Sequence, residues 1–439
     1  MGAAAYLKNW TAENLVRRTP GLYGRLMGLV RRSEAMSLNE RRSLRDELTR
    51  RMLDKARTTP YARAAGLTGG YERWPLLEKE TLRQDPRICS AWTLVPPHTA
   101  STGGTTGVPI TLRRSLESVV FEQVVLDHLV RRHSGLDLKK ARVAVLRGDT
   151  FKSPDDMTEP HWRLRPGGQY LICSSFHLNA STIAGFVEAI RQFGPEVLWA
   201  YPSSLEAFLR LGFEPLKERG LAGLKLVLSS SEVLDAAVSA DVSETLGVPV
   251  LDYYGQSERV CASYAVRAGE HYFLPAYGRV ELLPAYDDGG SSLYEIVGSS
   301  YWNSAQPLVR FRTGDLARLR SGMSAEELDA VSLGVLPFQG VEGRRSEYIL
   351  SPDGGRLIGM NHIPRNVPDV AQMQIVQKSL SGIEVHVVPL KDFGERSIAV
   401  ILANARKKIP ASIDIAVKEV ESVTRTRSGK APLVIRLVD

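Results

Sequence analysis

Between residues 141 and 254 the sequence alternates between short apolar runs and amphipathic stretches, and this alternation constrains the fold more than any other feature. The apolar runs are rich in Val, Leu and Ile and predict buried strands, whereas the amphipathic stretches have helical periodicity. Strands and helices that take turns in this way are typical of a doubly wound α/β sheet with parallel strands. The predicted strands are 141–148, 197–200, 224–230 and 248–254, and the predicted helices are 181–193, 204–212 and 234–246.

Polar segments follow three of these predicted strands. They are YPSS (201–204), SSSE (229–232) and YYGQSE (253–258). In open α/β sheets, ligands bind beyond the carboxyl ends of the strands. We therefore expect a ligand site at this edge of the sheet.

The first 70 residues differ from the alternating region in pattern and in charge. Ser37 and Glu40 form a capping box ahead of an apolar stripe at 44, 48, 52 and 56, which predicts a helix that ends before Pro60. A second helix is predicted over 14–30, and a further one, after the arm, over 115–133. Residues 1–70 contain 14 Lys and Arg against 6 Asp and Glu. We interpret this segment as a basic helical arm packed on the main domain, and its charge as that of a solvated face, because no nucleic-acid motif accompanies it.

The residues after about 275 favour a β-rich arrangement. Short alternating patterns at 278–285, 292–301 and 307–321 predict an antiparallel sheet or distorted barrel beside the parallel sheet. Residues 343–439 are interpreted as a small α+β domain. Its predicted elements are a hairpin turned at 353–355, strands near 373–377, 383–389 and 397–403, and a helix or strand near 413–420.

These patterns predict an α/β fold built from a large N-terminal domain and a small, mobile C-terminal α+β domain. The large domain contains parallel αβ sheet layers and a β-rich, distorted-barrel part. The expected divisions are an arm over 1–70, a core domain over 71–342 and a small domain over 343–439.

Composition places the chain among soluble globular proteins. Of its 439 residues 43% are hydrophobic and 24% charged, and no apolar run approaches the ~18 residues of a membrane helix. The amino-terminal sequence has no signal-peptide core, so we expect a cytoplasmic protein. Cys89, Cys173 and Cys261 are far apart and form no CxxC pair, which argues against a disulfide framework and a cysteine zinc site.

Residues 101–107, STGGTTG, are a candidate anion loop. Glycines and small hydroxyl residues let the backbone wrap a phosphate chain, which amides and hydroxyls then bind. Val108 and Pro109 follow, so the loop does not match GxxxxGK[ST], and its GGxxG spacing does not match GxGxxG. A flexible surface turn explains the heptad equally well when it is taken alone.

Four later segments contain charged residues suited to nucleotide chemistry. A carboxylate beside a phosphate loop needs a bridging divalent cation, so Glu258 in YYGQSE indicates magnesium. Asp315 in FRTGD has two oxygens that can accept from both ribose hydroxyls. Arg344 or Arg345 in EGRR suits bidentate phosphate or ribose contact, and Lys430 in TRSGK suits delivery of charge to a reacting phosphate. Each residue, taken singly, is also explained as an ordinary turn or surface residue.

In their order and spacing, the five segments resemble the motifs of the adenylate-forming superfamily of acyl-CoA synthetases, peptide-synthetase adenylation domains and luciferases. STGGTTGVP resembles its phosphate loop, YYGQSE its (Y/F)GxTE motif, FRTGD its YxTGD motif, GRRSE its GRxDD hinge and TRSGK its terminal lysine motif. The resemblance covers nearly the whole chain. We therefore expect this chain to have the fold and the activity of that superfamily.

Other segments resemble one branch of that superfamily in particular. The short chain, KARTTPYARAAGL and PLLEKETLRQDP are similar to the phenylacetate:CoA ligase-like branch. YGQSERV, FLPAYGRVEL and EGRRSEYILSPDG are most similar to its capsule-biosynthesis and deazaflavin-coenzyme-adenylylating group.

The resemblance implies a role for each matching residue. The β- and γ-phosphates of ATP would be held by Ser101, Thr102, Gly103, Gly104, Thr105, Thr106 and Gly107. The rest of the ATP site would comprise Ser231 and Glu232 on the adenine side, Tyr254 on adenine, Gly255 beside it, Asp315 on the ribose, and Arg344 on the ribose or phosphate. Catalysis would depend on Ser257 near the α-phosphate, Glu258 as the magnesium ligand, and Lys430 between the carboxylate and the α-phosphate. The acid would be lined by Phe176, His177, Tyr201 and Tyr253, unless some of these are core residues; their polarity favours an aryl or hydroxylated acid.

Three features depart from the family pattern. Residues 316–342 contain no Cys, so no structural zinc is expected. Ser346 and Glu347 replace the two acids of the hinge motif, which leaves the pivot residue open. The phosphate loop also lacks the lysine that many members have after its last glycine.

The resemblance implies an ATP- and magnesium-dependent ligase that forms an acyl-adenylate and pyrophosphate and then transfers the acyl group to coenzyme A. Transfer to an amine, giving an amide in a capsule or natural-product pathway, is the alternative. A second alternative is a catalytically idle nucleotide-binding scaffold. The expected partners are a small carboxylic acid and a thiol or amine acceptor, without nucleic acid, and the branch includes homodimers.

Overall fold

The computed structural model describes residues 14–101, 110–147, 151–154, 156–288, 290–342, 348–352, 356–357, 360, 363–364, 366–426 and 429–438. The helices named below are α1 (Leu22–Ala35), α2 (Leu38–Ala56), α3 (Pro60–Ala64), α4 (Lys79–Gln84), α5 (Leu116–Ser134), α6 (Ile183–Phe193), α7 (Pro202–Leu211), α8 (Phe213–Arg219), α9 (Ala236–Leu246), α10 (Ala325–Ser332) and α11 (Glu395–Arg406).

The strands fall into sheets with clear parallel and antiparallel parts. They are β1 (His98–Ser101), β2 (Thr111–Arg114), β3 (Val143–Leu146), β4 (Trp162–Leu164), β5 (Tyr170–Cys173), β6 (Val197–Ala200), β7 (Leu226–Ser230), β8 (Val250–Gly255), β9 (Ala262–Ala265), β10 (Tyr272–Phe273), β11 (Gly278–Asp288), β12 (Ser291–Ser300), β13 (Phe311–Arg320), β14 (Gly340–Glu342), β15 (Ile349–Leu350), β16 (Arg356–Leu357), β17 (Val370–Ser379), β18 (Gly382–Pro389), β19 (Asp414–Glu419) and β20 (Val434–Arg436).

The chain divides into two compact units. The first comprises Met1–Ala141 and Leu251–Glu342, and the second comprises Arg142–Val250 and Gly343–Asp439. The predicted divisions at 70 and 342 stay predictions.

The first unit contains the basic helices and the β-rich part. The predicted capping box is present, with Ser37 and Glu40 bonded reciprocally at the start of α2. Strands β11 to β14 form a four-stranded antiparallel sheet in sequence order, which confirms the predicted β-rich segment. Helix α5 confirms the helix predicted over 115–133, and the side chain of Ser115 caps it.

The second unit contains the parallel sheet that the alternating pattern predicts. Strand β6 pairs in parallel with β3 on one side and with β7 on the other, and β3 pairs in parallel with β5. Strand β4 is an antiparallel edge. All five residues of β7 are buried, as expected for a strand covered on both faces. The carboxyl ends of β3, β6 and β7 therefore meet at one edge.

The residues from 370 onward form a second sheet in this unit, with strand order β19-β18-β17-β20. Strand β17 pairs antiparallel with β18, and the two outer strands are parallel to their neighbours. The antiparallel pairing of β15 with β16 agrees with the predicted hairpin, whose turn at 353–355 lies outside the described residues.

One predicted strand is wrong. Residues 397–403 belong to helix α11, not to a strand. The buried positions Ser397, Ile401 and Ala405 recur every four residues, which is helical periodicity, and this periodicity prevailed over the strand preference of Ile and Val.

Two further predictions concern membranes and thiols. No helix in the described part of the chain is long and apolar enough to span a bilayer. Cys89, Cys173 and Cys261 are all buried free thiols, and burial raises the pKa of each.

Candidate functional site

Of the candidate phosphate loop, 101–107, the structure describes only the first residue. Ser101 is the last residue of β1 and pairs with Thr111 of β2. The loop residues from Thr102 to Gly107 lie outside the described residues, as does Arg344. Their predicted roles stay predictions.

In the first unit, two predicted nucleotide residues meet through a hydrogen bond. The Tyr254 hydroxyl donates to Oδ2 of Asp315 at 2.9 Å and accepts from Nε2 of Gln256 at 2.5 Å. Burial, reinforced by the Asp315 charge, raises the pKa of Tyr254 well above its ordinary value, so the hydroxyl stays a donor. The backbone N–H of Asp315 donates to Oγ1 of Thr313 at 3.1 Å. Asp315 is thus a buried carboxylate with a fixed orientation.

Ser257 and Glu258 follow β8 in a turn that Arg114 holds. Nε and Nη2 of Arg114 donate to the Ser257 carbonyl at 3.2 and 2.6 Å. Burial and the neighbouring Arg259 lower the pKa of Arg114 to about 10, although Glu122 and Glu258 oppose the shift. The Arg114 contact was not predicted, since a long-range bond to a backbone carbonyl leaves no sequence signal.

The Glu258 carboxylate fits the magnesium role that the sequence indicates. It is 7% exposed, and no hydrogen-bond donor reaches it among the residues that the structure describes. A buried carboxylate without a donor suits a hard cation. The described residues include no group of three or more His, Cys, Asp or Glu placed to hold a metal. Magnesium is commonly bound through one or two carboxylates together with substrate phosphates and water.

Tyr253 and Gly255 also lie near this turn, and their predicted roles in substrate and nucleotide binding stay predictions. Tyr253 is buried, and its hydroxyl donates to Oε1 of Glu122 at 3.2 Å. Gly255 is the last residue of β8, and the positive φ in this segment, 55°, lies at Arg259. A Cβ at Gly255 would lie 3.3 Å from the Tyr253 ring, so the glycine lets that ring pack closely.

In the second unit, Ser231 and Glu232 form hydrogen bonds with Lys430 and Ala431. Nζ of Lys430 donates to the Ser231 carbonyl at 2.8 Å. Oε1 of Glu232 accepts from the backbone N–H of Ala431 at 3.0 Å, and Oε2 accepts from that of Ser203 at 3.0 Å. Ser231 has a φ of 75°, an unfavourable conformation for a residue with a Cβ, and such strain is concentrated at functional sites.

Tyr201 lies at the centre of this second cluster. Its ring centroid is 5.9 Å from Nζ of Lys430 and 5.5 Å from Cζ of Arg147. Nη1 of Arg425 donates to Oγ of Ser204 at 3.3 Å and to the Gly429 carbonyl at 2.9 Å. Burial lowers the pKa of Arg425, although Glu232 opposes the shift.

Arg147 is a functional candidate that the sequence reasoning missed. It directly follows β3, so the rule that ligands bind at the carboxyl ends of parallel strands would have identified it. Arg425 lies in the same segment as the predicted lysine and was also overlooked.

The two remaining predicted acid-site residues lie in one short helical turn, Ser175–His177. Phe176 is half-buried. His177 is fully buried, stacks on His161 with ring centroids 4.6 Å apart, and bonds Oγ of Ser174 through Nδ1 at 2.7 Å. Burial lowers the pKa of His177, so the ring is neutral near pH 7. Its contact with a substrate stays a prediction.

Two family models match separate parts of the chain. The AMP-binding enzyme model matches residues 101–282, and the CapK C-terminal domain model matches residues 349–437. The first match begins at the candidate phosphate loop, and the second includes Lys430.

Individual proteins are similar over part of the chain. Protein CapK of Staphylococcus aureus is 21% identical over 302 residues, which cover 68% of this chain and 64% of CapK. Phenylacetate-coenzyme A ligase of Pseudomonas putida is 28% identical over 172 residues, 36% of this chain and 37% of that enzyme. The matches therefore span less than two thirds of the length of these relatives.

Solved structures share the fold. A structure of 2-hydroxyisobutyryl-CoA ligase in the postadenylation state, in complex with R3-HIB-AMP, has a TM-score of 0.53 at 14% identity and covers 96% of this chain and 91% of that one. The same ligase with 2-HIB-AMP has a TM-score of 0.54 at 15% identity, covering 94% and 88%. These similarities confirm the predicted α/β fold.

Proposed function

Because the chain belongs to the adenylate-forming superfamily, near CapK and the phenylacetate-CoA ligases, we propose that it is an ATP- and magnesium-dependent acid ligase. It activates a carboxylic acid as its acyl-adenylate, releases pyrophosphate and passes the acyl group to coenzyme A. The observation that carries this proposal is the position of Lys430, whose ammonium group lies at the ends of β6 and β7 beside Tyr201 and Ser231.

The first step needs positioning and charge rather than a protein nucleophile. A carboxylate oxygen of the acid attacks the α-phosphorus of ATP, the bond from that phosphorus to the bridging oxygen breaks, and pyrophosphate leaves. Negative charge grows on the oxygens between the two reactants in the transition state. Lys430 supplies one positive charge there, and a fixed cation at a developing charge lowers the barrier because it does not have to reorganise.

The residues of the first unit hold the nucleotide. Asp315 accepts from the ribose hydroxyls, and the bonds from Gln256 through Tyr254 keep its carboxylate oriented. Glu258 would hold magnesium, which when bound offsets the charge of the phosphates. Arg114 fixes the turn of Ser257 and Glu258 through the Ser257 carbonyl.

The second step uses the same acyl-adenylate. The sulfur of coenzyme A attacks the acyl carbonyl carbon, the bond from that carbon to the phosphate oxygen breaks, and AMP leaves while the thiol proton passes to solvent. Lys430 has no part in this step. We place the pivot that withdraws it at about 343–347, as the hinge motif implies.

The test is acid-dependent pyrophosphate exchange into ATP, measured with a panel of aryl, hydroxylated and fatty acids. The Lys430→Ala variant should lose about 100- to 1,000-fold in exchange, since the removal of one transition-state charge contact costs that much. It should still convert a synthetic acyl-adenylate to the thioester. Lys407 provides the control variant Lys407→Ala, because it is exposed and its ammonium group donates to the side chain of the neighbouring Asn404 at 3.3 Å.

Two results would contradict this proposal. One is the absence of exchange with every acid, which leaves a nucleotide-binding scaffold. The other is full exchange in Lys430→Ala. Mass spectrometry of products formed with coenzyme A and with a set of amines then distinguishes a thioester from an amide.

A further inference from the structure

We propose that Arg147 binds a second anionic group of the acid, so that the site accepts dicarboxylic acids in preference to monocarboxylic ones. This inference rests on the proposed function, because it assumes that Lys430 takes the reacting carboxylate. It assigns a substrate class that neither the motifs nor the relatives supply.

The pairing of the parallel strands places Arg147 on the same sheet face as an aromatic surface. Val145 of β3 lies opposite Trp199 of β6, which in turn lies opposite Leu228 of β7. Side chains alternate between the faces of a sheet, so Arg147 and Tyr201, each two residues farther on, point to the face of Trp199. The observed contacts agree: Cζ of Arg147 is 4.2 Å from the centroid of the Trp199 ring.

The surroundings of Arg147 hold the guanidinium in one orientation. It stacks on Trp199, lies 5.5 Å from the Tyr201 centroid, and donates from Nη2 to Oγ of Ser231 at 3.3 Å. Trp199 is itself fixed, because its indole N–H donates to Oγ of Ser230 at 3.1 Å. A guanidinium that stacks on an aromatic ring keeps its N–H donors in a plane parallel to the ring, and their planar arrangement suits recognition of a carboxylate.

Arg147 and Lys430 converge on the same two residues. Both contact Ser231, the arginine through the side chain and the lysine through the carbonyl, and both lie within 5.9 Å of the Tyr201 centroid. The two cations come from segments 283 positions apart in the sequence, and both are half-buried. A small acid whose first carboxylate meets Lys430 can therefore place a second carboxylate at Arg147.

The aromatic rings indicate the shape of the acid between these charges. The half-buried Trp199 and the buried Tyr201 bring two rings close to the two cations on this face of the sheet, and flat groups pack well beside aromatic rings. A benzene ring with two carboxylates matches both the aromatic and the charged character of these residues. Terephthalate is therefore the first probe, with 4-methylbenzoate as its partner of similar shape and a single charge.

The experiment compares matched acids in wild-type protein and in Arg147→Met. Exchange is measured with terephthalate against 4-methylbenzoate and with succinate against butyrate, and binding of the corresponding acyl-sulfamoyl adenosines is measured by calorimetry. We expect the wild type to prefer the dicarboxylic member of at least one pair. Arg147→Met should lower kcat/KM for that acid by about 10- to 100-fold, the range for loss of a charge-assisted hydrogen bond, and change that for its monocarboxylic partner by less than about threefold.

Arg142 supplies the matched control. It directly precedes β3, at the opposite end from Arg147, and its Cζ lies 4.7 Å from the Phe193 centroid. Arg142→Met therefore removes the same kind of stacked arginine from the same strand, and it should leave the preference unchanged.

The outcomes separate this inference from the proposed function. If exchange occurs but neither pair shows a preference that depends on Arg147, the inference is wrong and the ligase proposal stands. If Arg147→Met raises the KM for ATP or pyrophosphate equally with every acid, Arg147 contacts the phosphates and the inference is also wrong. A third outcome is that no acid supports exchange but the dicarboxylic analogue binds to the wild type and not to Arg147→Met. In that case the ligase proposal fails and the assignment of Arg147 holds. If no acid supports exchange and the analogue does not bind to the wild type, both fail.

Discussion

The bond between Tyr254 and Asp315 offers the sharpest test of the proposed ribose contact. Tyr254→Phe removes one oxygen atom and leaves the ring in place. The lost hydroxyl donates to Oδ2 of Asp315 at 2.9 Å and accepts from Gln256. Asp315 is 9% exposed, so water does not easily replace the lost donor. The substitution therefore acts on the orientation and the solvation of one carboxylate.

The expected loss of stability in Tyr254→Phe follows from the charge of the acceptor, Asp315. A hydrogen bond to a charged group contributes about 1.5 to 3 kcal/mol, and we expect the variant to be destabilised by about 2 kcal/mol. A double-mutant cycle with Asp315→Asn should give a coupling energy of about 1 to 2 kcal/mol, as is typical of residues in direct contact. Because Asp315 is proposed to hold the ribose in the ground state and in the transition state alike, the KM for ATP should rise about tenfold while kcat changes less than about threefold.

The assay is pyrophosphate exchange at varied ATP and at varied acid, with urea unfolding of the same variants. Tyr272→Phe is the control, because this half-buried tyrosine of the same unit makes no hydrogen bond through its hydroxyl within the described residues. The raised pKa of Tyr254 keeps the donor neutral, so the effect should be constant over about pH 6 to 9. An unchanged KM for ATP combined with a raised KM for the acid would refute the ribose role of Asp315.

Two further predictions concern magnesium and acid stability. Glu258→Gln should raise the magnesium concentration needed for half-maximal exchange by at least about tenfold, because a neutral amide is a poorer ligand for a hard cation; equal magnesium dependence in the two proteins would contradict this role. Burial lowers the pKa of His271 from its ordinary value of 6.5 to about 4, so the ring is neutral in the folded protein and gains a proton more readily on unfolding. Stability from this group is complete above pH 6.5 and is lost as the pH falls toward 4, by about 3 kcal/mol in all. In His271→Phe, the free energy of unfolding measured with urea should depend less on pH between pH 6.5 and pH 4. An unchanged dependence on pH would show that His271 is not responsible for it.

The fold was largely predictable because local patterns and tertiary structure agree in the alternating region. The predicted strand 197–200 has the same bounds as β6. A four-residue apolar run between two helices is too short to form another helix, so a buried strand is the structure that remains for it. Helix α11 shows the opposite case. Its Ile and Val residues have strand propensity, and only the packing of one face, at 401 and 405, favours the helix.

The sequence motifs name the candidate site residues, but they do not predict which of those residues contact one another. Tyr254 and Asp315 belong to separate motifs, and no local pattern indicates that a hydroxyl from one meets a carboxylate from the other. Arg147 has no motif at all. Its candidacy depends on strand register and on the stack with Trp199, which appear only when the sheet is assembled.

The contacts of Lys430 also bear on how the proposed ligase would change between its two steps. Residues 370–431 meet the parallel-sheet part of the same unit through polar bonds, many of them to backbone groups: Lys430 to Ser231, Ala431 to Glu232, and Gln372 to the Ser203 carbonyl at 3.0 Å. Such bonds are specific in direction. A bond between neutral groups contributes only about 0.5 to 1.5 kcal/mol net, because water replaces the lost partner when it opens, and the bonds of Lys430 and Glu232 contribute about 1.5 to 3 kcal/mol each because one partner is charged. A small apolar cluster also joins the two parts, because Leu211 of α7 packs against Ala371, Val388 and Val423. The main hydrophobic core of the C-terminal residues lies within their own sheet, around Ile375, Val385 and Ile401. A contact surface made of directional polar bonds and one small apolar cluster fixes the position of Lys430 and opens more easily than a hydrophobic core does, which is what a proposed step that uses the lysine, followed by one that does not, would require.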